Sequence, residues 1–357
     1  MKLNRETLLQ QLERAYPAIA LNPIVPHYSY FKISKGHDGL KGSVQAFNGL
    51  VLVNAQIVED VEYDCAIPAE PFIKLLRSLE DDEVELIFKG TEVKVKTDAV
   101  KGTFTILDEI HKKTISLSGD LVSDKEIIQD LINGLNICRL YVSKDQTSGP
   151  MRGVRIDGDK LIATDRYRVV VWKLDNDIPV NCSIPPKFID IVLKNKEQIK
   201  ELFLAKGEFT VILNDGTWIS TLLLSGDYPN VLQYFPTSDN YKRIKFTDEI
   251  SSAIERHVTF LSRVDLIDKE ISVQILKDKC VTKSKDNSLG SLVDEVNIIS
   301  KEDLNIEFFV NPVFLKDVVD ICSCFKYYEE SGLIILESDK LSESDKLRYL
   351  TQVRENE

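Results

Sequence analysis

The feature that most constrains the fold is a repeat. An order of helix, strands, helix and strands recurs three times along the chain, at a spacing of roughly 120 residues. Each repeat opens with a stretch that carries apolar residues at positions i and i+4, which is typical of an amphipathic helix. These opening stretches are 4–16, 124–135 and 248–261. The spacing is that of a whole domain and is too long for one unit of a solenoid.

Proline introduces a second helix in each repeat, because its missing N–H costs no hydrogen bond in the first turn of a helix. The second helices are predicted at 68–79, 185–202 and 311–322. Each is followed by two strand-like stretches with turn formers between them, such as Lys89-Gly90 and Asn214-Asp215-Gly216. The sequence therefore predicts an α+β protein of three similar domains.

Two polar stretches with turn formers and few apolar residues, 111–120 and 237–246, are typical of domain borders. The predicted domains are an N-terminal domain at 1–117, a middle domain at 118–240 and a C-terminal domain at 241–357.

Composition places the chain among globular proteins, since 43% of its residues are apolar. No apolar run approaches the roughly 20 residues that span a bilayer, and the polar amino terminus does not resemble a signal peptide, so we expect a cytoplasmic protein without a membrane contact. Cysteines and histidines are scattered, and neither a metal site nor a cofactor is predicted. With 57 acidic and 45 basic residues, any nucleic-acid contact must be local.

The stretch 162–174 combines two kinds of sequence. Its second half, 169–174, is an apolar, β-branched run typical of a strand. Its first half places Asp165 beside Arg166, Tyr167 and Arg168. Two interpretations are open. Asp165 and Arg168 pair across a hairpin and only cap the strand, or these side chains belong to a binding surface.

Three segments resemble motifs of one family, the sliding clamp, which is the ring-forming β subunit of the bacterial-type replicative DNA polymerase. Residues 163–169 stand where the family has an Ala-Thr-Asp-Gly-His-Arg-Leu type motif. Residues 226–230 with Pro236 resemble its segment between the middle and last domains, and 309–315 resemble the start of a helix in its last domain. The chain differs from the family at Arg166-Tyr167, which replace Gly-His, and at its carboxy terminus.

The resemblance implies a DNA-clamp fold, in which each domain has two helices packed on antiparallel sheets. It implies a ring formed by a head-to-tail homodimer around double-stranded DNA, without sequence preference and without catalysis. The partners that it implies are the replicative DNA polymerase, the clamp loader and other proteins that carry a clamp-binding motif. These clients insert a short peptide into a groove. Such a groove needs an apolar floor with a few polar groups. This need and the resemblance together select Met151, Thr164, Arg166, Tyr167, Arg168, Val169, Pro236, Asn311, Phe314, Val353 and Arg354.

A clamp also needs a modest basic lining, which compensates phosphate charge and still permits sliding. The candidates are Arg5, Arg14, Lys74, Arg77, Arg139, Lys144, Lys187, Lys194, Lys196 and Lys200. Each of these can equally be an ordinary surface cation. Ring closure requires strand edges, and we expect the strands near 75–95 of one subunit to face those near 272–281 of the next.

Two alternatives to a closed clamp are retained. One is a clamp-fold scaffold or decoy that does not close and only binds clamp clients. The other is a metal-dependent hydrolase or nuclease that uses Asp157, Asp159, Asp165 and a histidine. In the stretch 155–165, however, Asp157-Gly158-Asp159 has the composition of a turn between strands, and no histidine lies nearby to act as a base.

Overall fold

In the computed structural model, the described residues are 1–36, 42–57, 61–107, 119–205, 207–286, 290–299, 304–322, 324–337 and 346–355. The side chains of 285, 286, 354 and 355 lie outside this description. The helices are α1 (Arg5–Ala15), α2 (Ala69–Ser78), α3 (Lys125–Cys138), α4 (Pro186–Leu193), α5 (Glu249–Phe260) and α6 (Pro312–Val319).

The strands alternate with these helices in three rounds. The strands up to the middle of the chain are β1 (Lys2–Asn4), β2 (Tyr30–Ser34), β3 (Ser43–Phe47), β4 (Val51–Gln56), β5 (Cys65–Pro68), β6 (Glu83–Lys89), β7 (Glu92–Lys96), β8 (Lys101–Thr105), β9 (Asp120–Val122), β10 (Val154–Thr164) and β11 (Arg168–Ile184). Those that follow are β12 (Ile199–Ala205), β13 (Glu208–Leu213), β14 (Trp218–Leu222), β15 (Lys242–Phe246), β16 (Ile271–Ile275), β17 (Lys279–Asp286), β18 (Gly290–Ile299), β19 (Ile306–Val310), β20 (Cys324–Tyr328), β21 (Leu333–Glu337), β22 (Leu347–Gln352) and β23 (Arg354–Glu355).

The chain divides into two compact units, of which the first comprises 1–132 and 184–224. It contains two sheets, with strand orders β1-β6-β7-β8 and β5-β2-β3-β4-β14-β13-β12-β9. Helix α1 packs against α2 and against β3 and β4. The apolar stripe predicted for α1 points inward, since Leu8 and Leu12 are fully buried.

The second unit comprises 133–183 and 225–357. It contains one long sheet, with the order β10-β11-β22-β21-β20-β15-β18-β17-β16-β19-β23. Helix α5 packs against α6 and against β17 and β18. The strand predicted at 169–174 lies in β11, where Val170 and Trp172 are buried.

The α+β prediction is confirmed, and all registered strand pairs are antiparallel. Local signals explain where the helices begin. The side chain of Asn4 accepts a hydrogen bond from the N–H of Thr7 (3.0 Å) at the start of α1. Asn311 does the same for Val313 (3.0 Å) at the start of α6, just before Pro312. Such caps satisfy backbone donors that have no partner within the helix.

Strand pairing crosses the predicted domain borders. Strand β14 of the predicted middle domain pairs with β4 of the N-terminal domain, and β11 pairs with β22 of the C-terminal domain. The compact units therefore join parts of neighbouring repeats. The domain ranges 1–117, 118–240 and 241–357 stay a prediction.

Two placements from the sequence are wrong. The helix predicted at 185–202 ends at Leu193, and Lys200 lies in strand β12. The side-chain amide of Asn195 donates to the carbonyl of Ile191 (2.9 Å) directly after the helix, where such a contact competes with further helical hydrogen bonds. The stretch 157–159, predicted as a turn between strands, lies inside β10, where Gly158 has a φ of 60°.

The strands that we expected at the contact between subunits are not sheet edges either. Strands β6 and β7 near 75–95 are paired on both sides, and so are β16 and β17 near 272–281. Among the described residues, the edges of the four-stranded sheet are β1 and β8, and β18 pairs with β15 only through Ile298 and Ile299, so its first half is unpaired on one side. Among the described residues, no helix is long and apolar enough to span a bilayer.

Candidate functional site

The hairpin between β10 and β11 holds the polar residues of the 162–174 stretch. The hydroxyl of Thr164 donates to the carbonyl of Arg168 (2.8 Å). The Oδ1 atom of Asp165 accepts hydrogen bonds from the backbone N–H groups of Tyr167 (3.2 Å) and Arg168 (3.1 Å). These contacts fix the turn by side chains, so the positions of Arg166 and Tyr167 at its tip are well defined.

Arg166 has a left-handed backbone with a φ of 79°, and it is the only non-glycine residue with a positive φ in the described part of the chain. This conformation costs a residue with a Cβ atom about 1–2 kcal/mol. The sliding clamps that the chain resembles have glycine here, which adopts the conformation without strain. The Arg166 side chain is exposed, and its Nη1 lies 3.5 Å from Oδ2 of Asp145.

Arg168 is buried at the base of the same turn, with only 9% of its surface exposed. Its Nε donates to Oδ2 of Asp165 (2.9 Å), so the predicted Asp165–Arg168 pair is present. The guanidinium carbon lies 4.8 Å from the ring centre of Tyr141 and 5.1 Å from that of Phe314. Burial lowers the pKa of Arg168, but Tyr349 and Asp165 raise it by more, and the net direction is upward, so the side chain stays charged.

One nitrogen of this guanidinium is left without a hydrogen bond. Nη1 of Arg168 is buried and has no acceptor among the described residues. The nearest carboxylate oxygen recorded for it, Oδ2 of Asp317, is 3.7 Å away, which is an ion-pair distance and not a hydrogen bond. The pairing interpretation of this turn is therefore correct but incomplete, because one donor of the buried guanidinium has no hydrogen-bond partner among the described residues.

Two cavities meet at the hairpin tip, and we call them the first and the second cavity of the groove. The first has a volume of about 510 Å³ and is lined by Met151, Thr164, Arg166, Tyr167, Arg168, Val169, Pro229, Val231, Tyr234, Leu333, Leu350 and Gln352. The second, of about 500 Å³, is lined by Arg166, Tyr167, Ile267, Asp268, Lys269, Glu270, Phe309, Val310, Asn311, Phe314, Thr351, Gln352 and Val353. Arg166, Tyr167 and Gln352 line both and form a ridge between them.

The floor of the first cavity is the upper layer of a packed core. Val169, Val231 and Leu350 belong to one buried apolar cluster, with Leu333 packed against it. In the second cavity the ring of Tyr167 stacks on that of Phe314, with centroids 5.5 Å apart and an angle of 26° between the planes. Apolar floors with a few fixed polar groups are typical of sites that bind peptides or small molecules.

Nine of the eleven residues predicted for the groove line one of the two cavities. Pro236 is half-buried and is not among the residues that line either cavity, within the described part of the chain. The backbone of Arg354 pairs with Phe309, and its side chain lies outside the described residues. The lining residues that the sequence prediction missed lie mostly in β22, in the 229–234 segment and in the 267–270 segment.

The ten candidate lining cations differ in how they are engaged. Five form ion pairs with carboxylates, namely Arg14 with Asp215, Lys74 with Glu70, Arg77 with Glu13, Lys196 with Glu197 and Lys200 with Glu201. Arg5 and Arg139 donate to backbone carbonyls. Lys144, Lys187 and Lys194 are exposed, and their side chains form no hydrogen bond or ion pair with another described residue.

Two of the three acidic residues considered for a hydrolase form ion pairs with neighbouring cations. Asp165 binds Arg168, and Asp159 is paired with Lys160. Within the described ranges, no three His, Cys, Asp or Glu side chains form a group that could hold a metal ion. The described residues of the groove therefore form surfaces that suit binding.

Comparisons of the sequence and of the structure both find sliding clamps among the similar proteins. No protein-family model matches the chain. The sequence is 23% identical over 339 residues to the beta sliding clamp of Rickettsia felis, which covers 88% of each chain. The structure is similar to that of the DNA polymerase sliding clamp from Bacillus subtilis, with a TM-score of 0.84, 15% identity and coverage of 100% and 99%. The sliding clamp of Bartonella birtlesii bound to griselimycin gives a TM-score of 0.84, 16% identity and coverage of 100% and 99%.

Proposed function

We propose that this chain, which has the sliding-clamp fold along its whole length, is a DNA polymerase processivity factor. It encircles double-stranded DNA as a head-to-tail homodimer in the cytoplasm. It tethers the replicative polymerase, the clamp loader and other clients through the groove at the β10–β11 hairpin, and it carries out no reaction of its own. The observation that carries this proposal is the similarity in fold over the whole chain, together with a two-cavity groove where the resemblance puts the client peptide.

Ring closure requires two sheet edges that are free in one chain and can pair with each other. Strand β8 and the first half of β18 meet this requirement, since each lacks a strand neighbour on one side among the described residues. Val293 in β18 is an apolar side chain with 53% of its surface exposed. Pairing of β18 with β8 of a second chain would remove such a side chain from water.

The proposal predicts a particle of twice the 40.6 kDa chain mass in light scattering coupled to size exclusion. Val293→Lys is expected to raise the dissociation constant of this dimer at least about tenfold, because a charge is costly in a closed interface. Ile299→Lys is the matched control. Ile299 is exposed on the same strand, but it lies where β15 already occupies the edge.

The same light-scattering measurement, repeated over a dilution series, also separates the closed ring from the scaffold that does not close. A strict monomer at micromolar concentration would contradict the clamp and favour a clamp-fold scaffold that binds clients without closing. The five ion-paired cations among the lining candidates favour this second candidate, since paired cations release few counterions from DNA. A dimer that both substitutions leave unchanged would place the interface elsewhere.

Among the lining candidates, the lysines whose side chains form no ion pair are predicted to supply most of the electrostatic contact with DNA. Each unpaired cation that meets a phosphate adds about 0.9 to the slope of log affinity against log salt. Replacing Lys187 and Lys194 by glutamine should therefore lower this slope by about 2 in binding of a short duplex. Replacing Lys196 and Lys200 in the same way should change it less, because neighbouring glutamates already neutralise them. Equal effects of the two double variants would contradict this assignment.

A further inference from the structure

A buried histidine lies between helix α5 and the strand pair that contains the proposed ring-closing edge. His257 in α5 has no exposed surface. Its Nδ1 atom lies 2.9 Å from the hydroxyl of Ser284, and its Nε2 atom lies 2.8 Å from the hydroxyl of Thr282. Both hydroxyls belong to β17. The imidazole is therefore enclosed, and each of its nitrogens has a hydrogen-bonding partner.

The neutral ring suits this site, whereas the protonated ring does not. A neutral imidazole has one donor and one acceptor nitrogen, and a hydroxyl can serve as the partner of either. A protonated imidazole has two donors and a charge, which is costly where water has no access. Burial lowers the pKa of His257, Asp294 opposes this, Arg256 adds to it, and the net direction is downward. The ring is therefore neutral at neutral pH.

The carboxylate nearest to the ring also anchors β18 to the helix. Oδ2 of Asp294 lies 3.9 Å from Nε2 of His257, which is too far for a hydrogen bond. The Arg256 guanidinium holds the same carboxylate, since Nε donates to both oxygens (3.1 and 3.0 Å) and Nη2 donates to Oδ1 (2.7 Å). Asp294 lies opposite Thr282 in the register of β17 and β18. One cluster therefore joins α5 to both strands.

The other titratable groups on the elements that pack against α5, which are α6, β17 and β18, have partners of their own, are exposed or stay neutral. On the buried face of β17, Cys280 is a neutral thiol, because burial raises its pKa to about 12. On the outer face, Lys279 pairs with Glu295 and Lys283 is exposed. The charged residues of α6 are paired, Lys316 with Glu255, Asp317 with Arg168 and Asp320 with Ser251. Asp294 is therefore the carboxylate that a protonated His257 would attract.

The first half of β18 depends on this anchor more than an inner strand would. Among the described residues its only strand neighbour is β17, since β15 pairs with β18 at Ile298 and Ile299 alone. The hydrogen bonds between Arg256 and Asp294 hold it from the side of the helix as well. Val293, next to Asp294, is the exposed residue of the proposed ring contact. A shift of Asp294 therefore acts directly on the edge strand.

We propose that His257 makes the β18 edge sensitive to acid. Protonation of its imidazole draws the Asp294 carboxylate away from Arg256, which loosens the first half of β18 and weakens the contact that closes the ring. The consequence for the ring rests on the proposed function. The loosening of β18 does not, because it is a property of the single chain.

The sign of the pH dependence follows from the lowered pKa. A histidine whose pKa falls on folding contributes stability that is present above its unfolded pKa of about 6.5 and is lost as the pH drops below that value. Each pH unit lost in this range favours the opened strand by up to about tenfold, until the pKa of the folded protein is reached.

The test compares two pH values, about 7.5 and about 5.5, on either side of the ordinary pKa of histidine. Hydrogen exchange, corrected for its intrinsic pH dependence, should show the amides of 292–296 about tenfold less protected at the lower pH. Analytical ultracentrifugation should show a dimer dissociation constant about tenfold higher there.

Two variants and one direct titration assign the effect to His257. His257→Gln keeps a donor and an acceptor but no longer titrates, so both pH effects should shrink to about twofold or less. His27→Gln is the matched control, because it removes an exposed histidine of the first unit and should leave both effects intact. In the wild type, which needs no substitution, the NMR signal of the His257 ring should report the neutral form until the pH is well below about 6.5.

The outcomes separate this proposal from the proposed function. A His257 signal that titrates at or above about pH 6.5 overturns it. So does an equal loss of protection in the wild type and in His257→Gln. A looser β18 with an unchanged dimer dissociation constant overturns the link to ring closure. A chain that is monomeric at both pH values contradicts the proposed function, and the hydrogen-exchange comparison still decides whether His257 controls β18.

Discussion

Replacement of Arg168 by alanine is expected to lower the free energy of unfolding by about 3 kcal/mol, the cost of breaking a buried ion pair by removing one partner. Asp165, whose side chain is 17% exposed in the intact protein, would lose the guanidinium beside it. The rings of Tyr141 and Phe314 would also lose the cation that packs between them. Urea denaturation followed by circular dichroism measures the change.

Two further variants show whether the pair or only the side-chain volume matters. Arg166→Ala removes an arginine two residues away whose ion pair is exposed, and it should cost less than about 1 kcal/mol. In an Arg168→Met protein, Asp165→Asn should recover part of the loss, because the uncompensated carboxylate is gone. A cost below about 1 kcal/mol for Arg168→Ala would show that the buried pair does not stabilise the hairpin.

Replacement of Phe314 by alanine is expected to weaken binding of a client peptide by about thirtyfold, the effect of losing one aromatic anchor at the centre of an interface. Phe314 lines the second cavity and stacks on Tyr167, and the Arg168 guanidinium lies against its ring. Its removal would therefore leave a gap in the groove floor, and the side chains of Tyr167 and Arg168 would lose the ring that they contact. Fluorescence anisotropy with a labelled peptide that carries an apolar anchor residue for each cavity provides the measurement.

Phe314→Leu keeps an apolar side chain but no ring, so it should fall between the wild type and Phe314→Ala. Neither variant should change the mass of the dimer, because Phe314 lies in α6 and the proposed edges are β8 and β18. Unchanged peptide affinity in Phe314→Ala would place the client site outside the second cavity. A simultaneous loss of the dimer would mean that the variant disturbs more than the groove.

The helices could be predicted from sequence because their signals are local. Asn4 and Asn311 cap α1 and α6 with their own side chains, and proline begins α4 and α6. The end of α4 could not be predicted in the same way. Residues 199–205 end in a run of four apolar residues, 202–205, which by itself fits a helix or a strand, but the structure pairs them with β13 and β9. Pairing with the next strand, β13, and with β9, about 80 residues earlier, decided between helix and strand there.

The same contrast applies to the groove. The 164–169 segment was predictable because its unusual residues are adjacent in the sequence. Leu350 joins the site only because it pairs with Val169 in the register of β11 and β22. The sheet edges were missed for the same reason, since whether β16 or β18 is free depends on the order of strands in the sheet. Adjacency in the sequence is enough to predict the turn, whereas the groove floor and the free sheet edges can be predicted only when the strand pairing is known.

Arg166 shows where a sequence pattern indicates function but not conformation. The motif predicts a larger and more cationic side chain at the pocket, and Arg166 indeed lines both cavities. The left-handed backbone at this position is not visible in the arginine itself, because glycine is the residue that usually signals it. Only the structure shows that the strained backbone and the added positive charge lie at the same residue.

Linearisation of a bound DNA circle tests most directly whether the chain holds DNA by encircling it. Protein is bound to nicked circular DNA by raising its concentration to close the ring, and free protein is removed by gel filtration in high salt, which screens phosphate contacts. We predict that protein elutes with the circle and is released when a restriction enzyme cuts the DNA. The same amount of protein on the circular and the cut DNA would contradict a topological hold.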